Sequence, residues 1–161
     1  MKNLFLQETN KIKKKKKLLE DKLKVKITIK NNEVSIEGES VDKYEASIVL
    51  EAVEFGFPVE TSLLLKDPEF ILTKMVIKDF TNRKDSSVVK GRLIGTHGKT
   101  KNTIEKISDC KIIIKDNEVG VIGHAEDIGY ATTAIANLIK GSKQSNVYNY
   151  LERINKEKKK K

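Results

Sequence analysis

Residues 91–107 read GRLIGTHGKTKNTIEKI. Two glycines, Gly95 and Gly98, enclose Thr96 and His97, and Lys99 follows at once. Ile104 and Ile107 then recur at helical spacing. Paired glycines free the backbone of Cβ clashes and let it approach a ligand closely. Just before a helix, they aim free N–H groups and the positive end of the helix dipole at an anion. Lys99 adds a full charge there. Two glycines three apart are a weak signal alone, and the plain alternative is a turn linking two helices. The surrounding sequence has to decide.

The charge is distributed to suit an anion. The 161 residues carry 32 basic and 23 acidic side chains, net +9. That surplus favours a polyanionic partner, nucleic acid first. It is uneven. Arg83 to Lys115 holds nine basic against three acidic residues, and this window contains the glycine pair. Residues 33–70 hold two basic against ten acidic residues, net −8, and would repel phosphate. The two halves are therefore expected to do different work. Cys110 is the only cysteine, which excludes an intramolecular disulfide and a cysteine-cluster metal site. His97 and His124 are too few for a histidine cage, and no cofactor is expected. MKNLFLQET has too short an apolar run for a signal peptide, and no run reaches membrane-spanning length. A soluble, cytoplasmic protein with no membrane partner is the expectation.

A shift of 85 positions exposes an internal repeat. Lys26 to Ala46 (KITIKNNEVSIEGESVDKYEA) and Lys111 to Ala131 (KIIIKDNEVGVIGHAEDIGYA) are identical at ten of 21 positions without a gap. Each copy reads as strand, turn, strand, helix. Val25, Ile27 and Ile29 alternate with polar residues. Asn31-Asn32 and Asp116-Asn117 are turn pairs that tolerate positive φ. Ile128, Ala131, Ile135 and Leu138 follow at helical spacing.

Upstream of the second copy, Thr73 to Phe80 reads as a strand, and a short helix ends near Leu93. The glycine turn and a helix from Lys99 to Ser108 come next. In the first copy, residues 3–7 read as the strand and residues 11–22 as one helix. The shift puts Asn10 and Lys13 where Gly95 and Gly98 stand. The scaffold is thus expected to do without the glycines, and their presence reads as a binding feature. Domain boundaries are expected at 1–58 for a degenerate unit, 59–72 for a helical linker, 73–141 for the glycine-bearing unit, and 142–161 for a helix with a basic, frayed tail.

These residues resemble the KH domain, whose pattern LIGTHGKTKNTIEKISDCKIIIKDNEVGVIG follows. The resemblance implies an α+β fold of two tandem type I KH-like units in the order β-α-α-β-β-α. The first would be degenerate, each would be a three-stranded sheet packed by helices, and an extra C-terminal helix would follow. More narrowly, GRLIGTHGKTKNTIEKI with VYNYLERI is similar to archaeal ribosome-biogenesis KH proteins, relatives of the partner-of-Nob-one (Dim-two) family. That likeness implies single-stranded RNA as ligand, near the 3′ end of small-subunit ribosomal RNA, and a role in rRNA processing. It also implies a maturation endonuclease or the alpha subunit of translation initiation factor two as protein partners.

In such a site Gly95, Thr96, His97, Gly98, Lys99 and Thr100 hold the phosphates and sugars of about four nucleotides. The family often has glycine at the position of His97, which here either stacks on a base or points to solvent. Lys101 replaces an apolar residue and adds a phosphate contact. Leu93, Ile94, Ile104 and the strand residues Ile112 to Ile114 are the groove candidates. Ile113 is preferred by alternation, while core packing is the plainer role for Ile104 and Ile112. Arg83, Lys84, Lys90, Arg92 and Lys111 would track phosphates as a cluster. The run Lys13 to Lys17 is either a second RNA contact or the solvated side of a helix. No paired histidine and carboxylate or nucleophile signature supports an enzyme. The competing class is a protein-binding adaptor acting through the acidic first copy.

Overall fold

Both copies of the repeat build the same order of elements. A computed structural model describes residues 1–159, and the chain divides into one unit of Met1–Phe70 and a second from Ile71 onward. In the first unit β1 (Lys2–Phe5) is followed by α1 (Asn10–Lys14), α2 (Lys16–Leu23), β2 (Lys26–Lys30), β3 (Glu33–Glu37) and α3 (Ser40–Phe55). A short helix α4 (Val59–Ser62) and a 3-10 turn (Leu63–Lys66) complete it. The second unit runs β4 (Phe70–Val76), α5 (Ser87–Ile94), α6 (Lys99–Ser108), β5 (Lys111–Lys115), β6 (Glu118–His124), α7 (Ile128–Lys140) and α8 (Gln144–Lys159). The sheets have orders β1-β3-β2 and β4-β6-β5. This is the expected α+β pair of β-α-α-β-β-α units with an added C-terminal helix.

Equivalent interactions hold equivalent elements 85 residues apart. Glu20 in α2 accepts a hydrogen bond from the Ile27 N–H at 2.8 Å, and Glu105 in α6 accepts one from Ile112 N–H at 2.8 Å. Each carboxylate ties its helix to the edge strand that follows. Lys24 and Asp109, next in the chain, both adopt the left-handed conformation that stops the helix (φ 57° and 56°). The hairpin residues Asn31 and Asp116 repeat the match at φ 57° and 53°. Gly56 and Gly141 end α3 and α7, again 85 apart, at φ 131° and 113°.

The hairpin register puts Ile27 opposite Ile36 and Ile112 opposite Val121, so the apolar set of each strand shares one face. In the second unit Ile112, Val119 and Val121 meet Leu93, Ile104, Ile135 and Leu138 in one core. Helix α8 closes it with Val147 and Leu151, and Asn155 Nδ2 donates to the Ile107 carbonyl at 2.7 Å.

Several local expectations need correction. The upstream strand spans 70–76 rather than 73–80. Ile77–Asp79 is a 3-10 turn, and the Ile77 N–H is drawn to the Asn117 carbonyl at 2.8 Å. The strand expected at 3–7 is Lys2–Phe5. The single helix expected over 11–22 is broken at Lys15 (φ −113°, ψ 20°) into α1 and α2. Residues 59–66 are not a linker: Val59, Ser62 and Leu65 are buried, and the segment packs on α3. Residues 70–72, expected as helical linker, begin β4. The C-terminal helix belongs to the second unit. Lys158, expected in a frayed tail, is helical, pairs with Asp127 and lies 5.3 Å over the Tyr130 ring. Lys160 and Lys161 lie outside the described residues. Among the described residues no helix is long and apolar enough to cross a membrane.

Cys110 occupies the place of Val25 in the repeat, and each meets a glycine of the return strand. A Cβ built on Gly123 would lie 2.4 Å from Cys110 Sγ, and one on Gly38 3.1 Å from a Val25 methyl. Burial pushes the Cys110 thiol pKa up, so it stays protonated and inert near neutral pH. Gly123→Ala is expected to destabilise the second unit by about 1–3 kcal/mol through overpacking. Cys110→Ala in the same chain should recover part of that loss, as a double-mutant cycle in urea would read out.

Candidate nucleic-acid interface

The glycine turn is built on a single close approach. The N–H of Gly95 closes α5 onto the Gly91 carbonyl at 2.8 Å, and the chain then turns back with Gly95 at φ 76°, ψ 174°. That conformation is open essentially to glycine alone. A Cβ on Gly95 would stand 2.2 Å from Thr100 Oγ1 and 2.7 Å from the Thr100 backbone nitrogen. The expectation that the scaffold does without both glycines is therefore wrong for Gly95. The first unit dispenses with it only because its chain at the equivalent positions is α1, an ordinary helix. Gly98 differs. It lies in the left-handed region (φ 76°, ψ 12°), yet a Cβ there would meet only the Asn102 side chain, at 3.7 Å.

Between the glycines, Thr96 and His97 are exposed, and His97 is itself left-handed at φ 56°. A non-glycine residue there is an uncommon arrangement, at the tip of the turn. Helix α6 begins at Lys99 with Gly98 as its N-cap, so no side chain caps its first N–H groups, and no acidic residue stands in its first turn. The Gly98 N–H bonds to the Gly95 carbonyl at 3.2 Å and that of Lys99 to the Thr96 carbonyl, and the helix dipole makes this end electropositive. Lys99 is exposed beside it.

The other candidates separate into groove and scaffold. Ile94, the last residue of α5, is 39% exposed, unusual for an isoleucine and suited to a base face. Ile113 is half-buried on the edge strand β5, opposite Gly120, which sets no side chain beside it. Ile104 is only 1% exposed and belongs to the core, so it cannot touch a ligand; Leu93 and Ile112 are core residues too. Thr100 is buried, its hydroxyl accepting from Gln144 Nε2 at 2.9 Å, so its role is to hold the turn rather than face solvent. Lys101 does not stand free for phosphate: its ammonium lies 3.2 Å from Glu105 Oε1, and the other oxygen of that carboxylate receives the Ile112 N–H. Arg92 is half-buried and donates to the Ser142 carbonyl at 2.9 Å, pinning the corner between α7 and α8.

Lys90 is half-buried on α5 and Lys111 exposed at the start of β5. Arg83 and Lys84 are exposed in the loop before α5, whose start is anchored by a hydrogen bond from Ser86 Oγ to Asn117 Oδ1 at 2.9 Å. They precede the eight-residue helix whose far end carries the turn. The five lysines Lys13 to Lys17 are all exposed around the break between α1 and α2.

The sequence reading missed the contribution of α8. Gln144 and Tyr148 project from it toward α5 and the turn, and with them they enclose a cleft of about 440 Å³. The sequence reading used VYNYLERI for the family likeness and gave Gln144 and Tyr148 no role.

Against known proteins, the family model that matches is that of the second PNO1 domain, described as the eukaryotic-type KH-domain (KH-domain type I), over residues 71–156. A KH domain-containing protein of Methanocaldococcus jannaschii is 31% identical over 146 residues, which cover 86% of this chain and 64% of the relative. A pre-rRNA-processing protein pno1 of Aspergillus fumigatus is 29% identical over 142 residues, covering 83% of this chain and 56% of its own. This chain thus spans between about half and two thirds of the length of these two relatives. A chain in the crystal structure of an a/eIF2alpha–aDim2p–rRNA complex from Pyrococcus horikoshii is similar at a TM-score of 0.84 and 28% identity, over 97% of this chain and 94% of that one.

The two glycines should respond differently to the same substitution. Gly95→Ala has neither the room nor the backbone conformation and is expected to cost more than about 3 kcal/mol. Gly98→Ala has the room and should cost only about 1–2 kcal/mol for the left-handed conformation. Urea denaturation of both variants measures the difference, and equal losses would contradict the geometry.

Proposed function

We propose a function from one premise: this chain belongs to the PNO1 family of type I KH-domain proteins. It grips single-stranded RNA through the turn from Gly95 to Lys99. The observation that carries this reading is the uncapped start of α6, reached through backbone without bulk at Gly95 and Gly98 and flanked by exposed Lys99. Phosphates of about four nucleotides lie against these N–H groups and the lysine. The bases then turn toward Ile94 and Ile113, with His97 at the tip. Lys90 and Lys111 supply further positive charge.

The target we favour is ribosomal RNA near the 3′ end of the small subunit, during ribosome maturation. Support comes from the pre-rRNA-processing name of one relative and the rRNA in the complex that holds a structural neighbour. The reading is of a binder rather than an enzyme, the class that the KH-domain match supports.

A second reading concerns the first unit. Its acidic segment, net −8 over residues 33–70, suits a basic protein surface better than RNA. The structural neighbour's complex contains a/eIF2alpha, and the alpha subunit of that initiation factor or a maturation endonuclease are the partners we propose for this face.

Gly98→Asp tests the grip. Left-handed backbone tolerates Asp well, so the fold survives, while a carboxylate is set where phosphate must lie. RNA affinity by filter binding is expected to fall roughly a hundredfold or more, as a like charge replaces an attractive contact. Unchanged affinity would refute the grip. In the unmutated chain, log affinity should fall with log salt by about 0.7 per phosphate contact. A fragment beginning at Phe70 should keep the full chain's RNA affinity; a folded fragment that loses it would assign RNA contact to the first unit.

A further inference from the structure

Helix α5 has three faces of unequal fate. Val89 and Leu93 enter the core. Lys90 and Ile94 stand on the face given above to the RNA groove. Val88, Gly91, Arg92 and Gly95 occupy the remaining third, since each residue advances about 100° around the helix. This third face is one wall of the 440 Å³ cleft, and Gln144 and Tyr148 of α8 form the other. Its floor is the turn itself, through Thr96, Lys99 and Thr100.

We infer that this cleft is a second nucleotide subsite, which takes one nucleotide of the same RNA strand flanking the four held by the turn. The inference rests on the proposed grip. Four observations carry it. The cleft shares Gly95, Thr96, Lys99 and Thr100 with the grip, so a strand leaving the turn meets it without crossing other surface. Its lining has two cations, Arg92 and Lys99, and no acidic residue, which suits a phosphate. Its volume lies within the range of small-ligand pockets, about 300–1,000 Å³. Last, Gly91 stands in the interior of α5 with nothing within 4 Å of the position a Cβ would take. Packing does not require that glycine, and it costs the helix about as much as any residue but proline. Its bare backbone keeps the wall open for close approach.

The chemistry of the lining fits a nucleotide. Tyr148 is half-buried with its backbone fixed in α8, and offers a ring for stacking. The Gln144 amide gives an Nε2 hydrogen to Thr100, and its carbonyl oxygen is an acceptor suited to a base donor. Arg92 is held by Ser142 through one Nη, which leaves its remaining N–H groups for a phosphate.

The test uses the full chain and two probes, a 12-nucleotide single strand matching the 3′ end of archaeal small-subunit ribosomal RNA and its best-binding four-nucleotide piece. Gly91→Leu should keep or raise thermal stability while filling the cleft. Val88→Glu, at an exposed position, puts a carboxylate on the rim and guards against a folding defect in the first variant. Both are expected to bind the 12-mer roughly five- to a hundredfold more weakly, the worth of one stacked base, and the four-nucleotide piece as the wild type does. Folded variants with wild-type affinity for the 12-mer would overturn the subsite. Equal loss on both probes would overturn it too, since the effect would then lie in the turn. A subsite failure leaves the Gly98→Asp result intact, whereas a wild type that binds neither probe removes the grip and the subsite together.

Discussion

The second unit depends on a space where a Cβ does not fit. Gly95 brings the end of α5 against Thr100, with a virtual Cβ only 2.7 Å from that residue's backbone nitrogen. Everything particular to the turn follows from that approach. The chain has to reverse within three residues, which forces His97 and Gly98 into the left-handed region. Helix α6 then starts without a side-chain cap, because its N-cap is a glycine. The donors that a capping residue would normally satisfy are left for an external acceptor. Gly95 is thus a folding requirement, and the proposed grip makes a binding surface its consequence; Gly98, with open space around it, is demanded less by packing.

The repeat shows which interactions carry the fold and which do not. Glu20 and Glu105 make the same bond to the same strand position, and the left-handed stops at Lys24 and Asp109 recur with them. A carboxylate accepting a backbone N–H is a strong, charge-assisted tie, and it fixes where the edge strand begins relative to the helix. What the units do not share is the chain before that helix. The first has a one-turn helix and a break at Lys15; the second has α5 and the glycine turn. The scaffold therefore accepts either solution, and the choice belongs to function.

How legible this was depended on how local the cause is. Alternation at Val25, Ile27 and Ile29, carried to Lys111–Lys115 by the repeat, and the helical spacing from Ile128 onward led to elements close to those observed, because burial of one face decides both. TKMVIKDF alternates equally well in two places, and only the bond from Ile77 N–H to Asn117, 40 residues away, decides that the strand has ended by then. Lys101 read as a phosphate contact since its partner Glu105, one turn on, was not seen to be fixed by Ile112. Ile104 and Thr100 show the same limit: motif position named them, but burial assigns them to the scaffold. The part played by Gln144 and Tyr148 had no local signature, since it arises only when α8 folds back beside α5.

Charge alone does not separate the two units in the way their geometry does. The first unit has five exposed lysines from Lys13 to Lys17, at the place in the repeat where the second has its turn, and no acidic residue stands in the first turn of α2. Positive potential is present in both. Free lysines attract phosphate without fixing where it sits, and that attraction fades as salt rises. In the proposed grip a glycine turn adds close backbone approach at fixed positions, which would hold phosphates in register and deliver the bases to one groove. The Lys13 N–H bonds to the Thr9 carbonyl at 2.9 Å and the equivalent Gly98 N–H to the Gly95 carbonyl at 3.2 Å, so that donor is used in both units; what the first unit lacks is backbone bare of side chains, since Asn10 and Lys13 stand where Gly95 and Gly98 do. In the proposed grip, the difference between a surface that attracts RNA and one that positions it thus comes down to whether the backbone at the helix start is bare, as at Gly95 and Gly98, or covered by side chains, as at Asn10 and Lys13.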